Sequence, residues 1–238
     1  MAANYERNCQ VNISGIEKNL SLITRNDNEG RILINKETHT GNISRLRLNS
    51  NRYIDGIYFI TVYPGSGSHA IVLQISNNGK NFDVFEPNGK KWVNNKEEKF
   101  YTLEVYVDQK IQTLKTSLSP KKGGLNNIGV CGIWGIIISI LLNGITKGIF
   151  NEEDKEKFYY FLNNNKQGAI EFIQNIKINF FDKTKNYESI QKVEEFLEYI
   201  IDLIREIINK QEINTRNTIS EPPRKSRRLN PQQNQAAE

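Results

Sequence analysis

Cysteine is nearly missing from this sequence: Cys9 and Cys131 are the only two in 238 residues. That is too few for a disulfide framework or a zinc site, and it fits a reducing compartment. Histidine is as scarce, with only His39 and His69. No charged n-region followed by an apolar h-region opens the chain, since Met1 to Arg7 is polar. The apolar stretch Ile128 to Leu142 falls short of the ~20 residues that span a bilayer. These absences predict a soluble intracellular protein with no Sec signal peptide and no membrane contact.

One-sided charge is also lacking once the net +5 is divided. From Ile213 onward, Arg216, Arg224, Lys225, Arg227 and Arg228 stand against Glu221 and Glu238, so the tail carries +3 and the body only +2. A body so close to neutral argues against nucleic-acid binding as the main activity. The cluster Arg224, Lys225, Arg227, Arg228 is the one candidate for a nuclear-import or nucleic-acid contact.

What the chain does contain is a globular composition, 37% hydrophobic and 10% aromatic, enough for one folded unit with a sizeable core. We expect a single domain over residues 1–212, with a core at about 57–145 and C-terminal helices over 151–210. A Pro-, Gln-, Asn- and Arg-rich segment, 213–238, reads as a disordered basic tail. A short helix is predicted near Ile16 to Ile23, and strands at Arg31 to Ile34 and Ile43 to Leu48. His39 falls in a polar stretch and reads as a solvated loop residue. Later, Asn151-Glu152-Glu153-Asp154 is an acidic helix start, Ala169 to Ile178 continues helical, and Asn186 is placed to cap a last long helix with an apolar stripe from Ile190 to Ile207.

The informative part lies between. Ile57 to Tyr63 is a β-branched and aromatic strand, and His69 immediately precedes the apolar run Ala70 to Ser76. Asn78-Gly79 then marks a hairpin into Asn81 to Glu86. With those two residues as the loop, Ile75 faces Phe82, Leu73 faces Val84 and Ile71 faces Glu86. His69 is then on the same face, diagonal to Glu86 at about 7–8 Å between backbones. An apolar face that ends in a histidine and a glutamate is not what burial alone selects. Asn88, placed across from His69, is a second candidate to orient it. Trp92 reads as packing, and Phe100 to Val107 as another strand.

Further on, the polar approach Asn126-Asn127-Ile128-Gly129-Val130 runs into an apolar segment with no charged face, a helix buried on all sides. Cys131 sits where it begins, and there the unpaired N–H groups and the positive dipole end favour a thiolate. A base, a carboxylate and a nucleophile at a helix start are the components of thiol catalysis.

The ordered set His69, Glu86, Cys131 resembles the clan of Ulp-type SUMO proteases and the adenovirus protease, adenain. Phe85-Glu86-Pro87-Asn88-Gly89 is similar to the Phe-Glu-Pro-Phe-Gly phrase of adenain at the same spacing from the histidine, and Asn126 to Gly132 carries Asn-x-x-x-x-Cys-Gly. The likeness covers roughly residues 57–145. It implies an α+β, papain-like/Ulp-like fold: a central mixed or antiparallel sheet packed on the buried helix that starts at the catalytic cysteine, with additional C-terminal helices. It also implies a thiol protease with a Cys131-His69-Glu86 triad and no cofactor or metal, cleaving Gly-containing peptide or isopeptide bonds in ubiquitin- or SUMO-like conjugates or a viral polyprotein. The setting would be a host cytoplasm or nucleus, or a virion.

Two departures stand out. Ala70 replaces the tryptophan that usually follows the histidine, and Leu125 and Gly124 stand where the clan has its oxyanion glutamine. Asn126 or Asn127 carries an equivalent amide for that role. YopJ-like effectors share the His, Glu, Cys order with a longer first gap, and they imply the alternative of acetyl transfer from acetyl-CoA, dependent on inositol hexakisphosphate. A non-catalytic adaptor working through the basic tail is the alternative from another class.

Overall fold

The computed structural model describes residues 32–35, 38–40, 43–49, 55–62, 69–94, 101–121, 125, 130–181 and 190–220. The expected helix near Ile16, the Asn186 cap, Asn126 and Asn127, and the basic cluster at 224–228 lie outside them. The fold is α+β, with eight strands followed by helices among the described residues.

The strands are β1 (Ile32–Asn35), β2 (Thr38–Thr40), β3 (Ile43–Leu48), β4 (Gly56–Val62), β5 (His69–Ser76), β6 (Asn81–Phe85), β7 (Thr102–Val107) and β8 (Lys110–Ile111). They form two four-stranded sheets, ordered β1-β4-β5-β6 and β2-β3-β7-β8, rather than the single central sheet expected. Both are mixed: β1 pairs with β4, and β3 with β7, in parallel, and the remaining pairs are antiparallel. Two sheets arise because β4 and β5 are apolar on both faces, and β6 mainly on one, so each face of the first sheet needs a cover. Ile57, Phe59, Ala70, Val72 and Phe85 face the helices, while Tyr58, Ile60, Val62, Ile71, Leu73, Ile75, Phe82 and Val84 pack with Leu46, Leu103 and Val105 of the second sheet. His39 lies in β2, opposite Ser44, and not in a loop as expected. A strand of three residues is too short to carry an alternating pattern that would have marked it.

The β5–β6 hairpin keeps the predicted register, Leu73 against Val84 and Ile75 against Phe82. Its loop is longer than predicted: Asn77 to Lys80 form the turn, closed by Lys80 N–H donating to Ser76 O at 3.2 Å. Asn77, Asn78 and Gly79 have φ of 60°, 54° and 71°, a left-handed run that asparagine and glycine tolerate best. The Asp55 carboxylate secures it by accepting from Asn78 N–H at 2.8 Å and Gly79 N–H at 2.6 Å.

Helix α1 (Cys131–Thr146) packs across β4 and β5 on one side and against the C-terminal helices on the other. That double cover explains a helix without a polar face. Gly135 lets it approach closely, because a Cβ there would sit 2.5 Å from Cε2 of Phe59 on β4. Helix α2 (Glu152–Asn164) starts with a full capping box between Asn151 and Asp154. Asn165 caps α3 (Lys166–Ile176), which passes into a π turn, Lys177–Phe181. Helix α4 (Ile190–Ser220) buries Phe196, Ile200, Ile204 and Ile207. It runs past Ile213, where the tail was expected to begin, because no helix-breaking residue occurs before Pro222.

Candidate active site

β5 opens with His69 and β6 ends one residue before Glu86. The even strand alternation places both side chains on the face that meets the second sheet. There the imidazole and the carboxylate pair: His69 Nε2 is 2.8 Å from Oε1 and 2.9 Å from Oε2 of Glu86. Both groups are buried, His69 at 4% exposure and Glu86 at 0%. A carboxylate can be held there only if its oxygens are satisfied.

They are. Oε1 also accepts from the Asn88 backbone N–H at 2.8 Å, and Oε2 from the Tyr101 hydroxyl at 2.6 Å. Each oxygen therefore has one fixed donor besides the shared Nε2. The backbone around the pair is pinned as well. Glu86 N–H donates to Ser119 Oγ at 2.9 Å, Ser119 Oγ donates to Val84 O at 2.7 Å, and Gly89 N–H closes a turn on Glu86 O at 2.9 Å. An ionised carboxylate only accepts, so this geometry assigns the ring proton to Nε2 and leaves the lone pair on Nδ1.

Rings flank the imidazole. Trp92 lies 5.8 Å away between centroids and Tyr101 6.1 Å. The aromatic neighbour that Ala70 does not supply thus comes from the 3-10 turn Lys90–Trp92. Burial, with the Glu86 charge beside it, pushes the Tyr101 phenol well above its ordinary range, so it stays a hydrogen-bond donor.

Asn88 does not lie across from His69 as expected. The ladder ends at Val72 opposite Phe85, and the chain then turns, so Asn88 offers its backbone N–H to Glu86 instead. Its side-chain Nδ2 is buried with no hydrogen-bond partner among the described residues.

Cys131 is the first residue of α1, and it is 3% exposed. The helix has no side-chain cap at Val130 and no acid in its first turn. Its positive end favours an anion. The thiol belongs to the helix-side cluster together with Ala70 and Phe85, each one position along the chain from a member of the His69–Glu86 pair. The side-chain hydrogen bonds described for His69 and Glu86 run between the two and to Asn88 and Tyr101; by strand parity that pair follows the layer that meets the second sheet, and the thiol belongs to the helix layer. Two hydrogen bonds link those layers. Leu125 N–H donates to Pro87 O at 3.2 Å, and Trp134 Nε1–H in the first turn of α1 donates to Leu125 O at 3.0 Å.

The roles of Tyr101 and Ser119 at the site were not foreseen, whereas Trp92, expected to pack, does pack, against the second core cluster and beside His69. For Tyr101 a signal existed: it shares strand parity with Leu103 and Val105, so its hydroxyl had to be buried and had to find an acceptor. Among the described residues no group of His, Cys, Asp and Glu could hold a metal ion, and no helix is long and apolar enough to cross a membrane. In comparisons with known proteins, no family model, no curated protein and no solved structure matches the chain.

Proposed function

We propose that the chain is a cysteine protease with a papain-like/Ulp-like fold, cleaving peptide or isopeptide bonds beside glycine in a ubiquitin- or SUMO-like conjugate or a polyprotein. The observation that carries this reading is the buried His69–Glu86 pair, held by donors on both carboxylate oxygens and tied through Pro87, Leu125 and Trp134 to the helix that Cys131 begins. An imidazole paired through Nε2 is set up to exchange a proton at Nδ1.

In the proposed reaction His69 takes the Cys131 proton on Nδ1, giving thiolate and imidazolium. The thiolate sulfur bonds to the substrate carbonyl carbon, and the carbonyl π pair moves onto oxygen. Collapse of that oxyanion breaks the C–N bond, and the imidazolium proton leaves with the amine. His69 then takes a proton from water, whose oxygen attacks the thioester carbon. The second collapse returns the acid product and the thiol. The Cys131 N–H and an asparagine amide from Asn126 or Asn127 would hold the oxyanion, each such donor being worth about 10²–10³ in rate.

The test is labelling with ubiquitin and SUMO electrophilic probes and with Gly-Gly ester substrates, for the native chain beside Cys131→Ala. Labelling lost in the alanine variant supports the reading. No labelling of the native chain, or labelling that persists without the thiol, sinks it. Transfer of an acetyl group from acetyl-CoA, with no ester cleavage, would instead favour the acetyltransferase reading of the same residues.

A further inference from the structure

Several polar features lie outside the proposed triad: the Asn88 Nδ2, buried with no partner among the described residues, the Asp83 carboxylate near Tyr159, and the Arg45–Glu104 pair. Tyr101 carries an inference furthest. It is 2% exposed, its ring lies beside the imidazole, and its hydroxyl makes a short bond to the carboxylate that holds that imidazole.

We infer that Tyr101 is a positioning residue that acts on His69 through Glu86, keeping the carboxylate ionised so that the imidazole can carry a second proton. The inference rests on reading His69 as the base of the site. The pair can hold its second proton in two ways. One is a carboxylate beside an imidazolium with protons on both nitrogens. The other is a carboxylic acid donating to Nε2 of a neutral imidazole whose own proton is on Nδ1.

The two states have equal proton counts and opposite chemistry. Only the first is what forms when Nδ1 receives a proton from a thiol. In the second, Nδ1 belongs to a neutral ring, which is a poor proton donor to a leaving amine. Hydrogen bonds donated to a carboxylate favour its ionised form. Glu86 has two besides the imidazole, one on each oxygen. The Asn88 donor is backbone, and every side-chain substitution other than proline leaves it in place. The Tyr101 hydroxyl is the variable one; Tyr101 immediately precedes β7 and bridges to Val93, so docking of that segment is a condition for the imidazolium form.

Because the chain has only two histidines, ¹⁵N NMR of the imidazoles reads the state directly, with His39→Gln identifying the His69 signals. The measurement is made on the full chain carrying Cys131→Ala, so it does not depend on thiol chemistry. At the acid end of the His69 titration, Cys131→Ala alone gives the two equivalent ring nitrogens of an imidazolium.

Adding Tyr101→Phe lowers the imidazolium-to-neutral-imidazole ratio about tenfold, since a hydrogen bond to a charged group is worth at least that factor. Leu103→Ala, a packing loss on the same strand face, leaves the ratio unchanged. Replacing Tyr101 by 3-fluorotyrosine, a stronger acid of nearly the same shape, raises the ratio above that of the parent and covers the case in which Tyr101→Phe does not fold; a ratio not raised there counts against the inference. A ratio unaltered in Tyr101→Phe, or one altered equally by Leu103→Ala, overturns the inference. Should probe labelling fail while this ratio behaves as stated, the positioning role stands and the proteolytic reading alone falls.

Discussion

Glu86 is the residue on which the site turns, because a fully buried carboxylate shared by four donor contacts tolerates little change. In Glu86→Gln the volume is kept, but one oxygen becomes an NH₂ that either meets the Asn88 N–H, donor against donor, or forces the Tyr101 hydroxyl to turn and accept, giving up its short bond. A loss of about 1–3 kcal/mol is expected in urea unfolding, and His69 loses the partner that fixes its tautomer. An unchanged denaturation midpoint would contradict the geometry described. The His69–Glu86 pairing was legible in the sequence because it depends only on hairpin parity and the Asn-Gly turn. Tyr101 was not: it stands just before β7, fifteen positions from Glu86, and no local pattern states which acceptor a distant hydroxyl will find. The layer of Cys131 was also beyond the sequence, since helix burial gives no hint of which sheet face the helix covers.

Among the elements, α1 shows two opposing effects at one position. Gly135→Ala would gain roughly 1 kcal/mol of helix propensity. It would also drive a Cβ to 2.5 Å from the buried Phe59 ring, and overpacking of this kind costs about 1–3 kcal/mol. Phe59 is enclosed by the core and cannot swing away, so the clash wins, with a net loss of up to about 2 kcal/mol in thermal or chemical unfolding. A more stable variant would show that α1 can slide on β4. At the start of α2, Asn151→Ala removes the capping box with Asp154 and should cost about 1 kcal/mol. Circular dichroism melts of the two variants check both. Elements with a signal within a few residues were readable: the α2 start, the β5–β6 register, the extent of β3. What the sequence could not show is how strands divide between sheets, because parallel pairing of β3 with β7 joins residues such as Arg45 and Glu104 that are 59 positions apart.

For the whole molecule, alkali is the revealing condition. Burial, with Asp55 nearby, raises the Tyr58 phenol to about 12, and burial likewise raises Tyr101 and Tyr159. An unfolded tyrosine titrates near pH ~10. Above that pH the unfolded chain releases protons that the folded one retains, so stability is intact below about pH 10 and falls as the pH climbs toward 12. Urea unfolding at about pH 9, 10 and 11 should show the midpoint dropping only in the upper interval, and Tyr58→Phe should blunt the drop. A flat profile would mean that these phenols reach solvent. The β3–β7 pairing has a last consequence, for the order in which this chain is made. The second sheet needs strands from both sides of the β4–β6 block, and so cannot close until Val107 has left the ribosome. A nascent chain stalled short of that point would display the apolar back of its first sheet, the moment in its life when chaperones matter most.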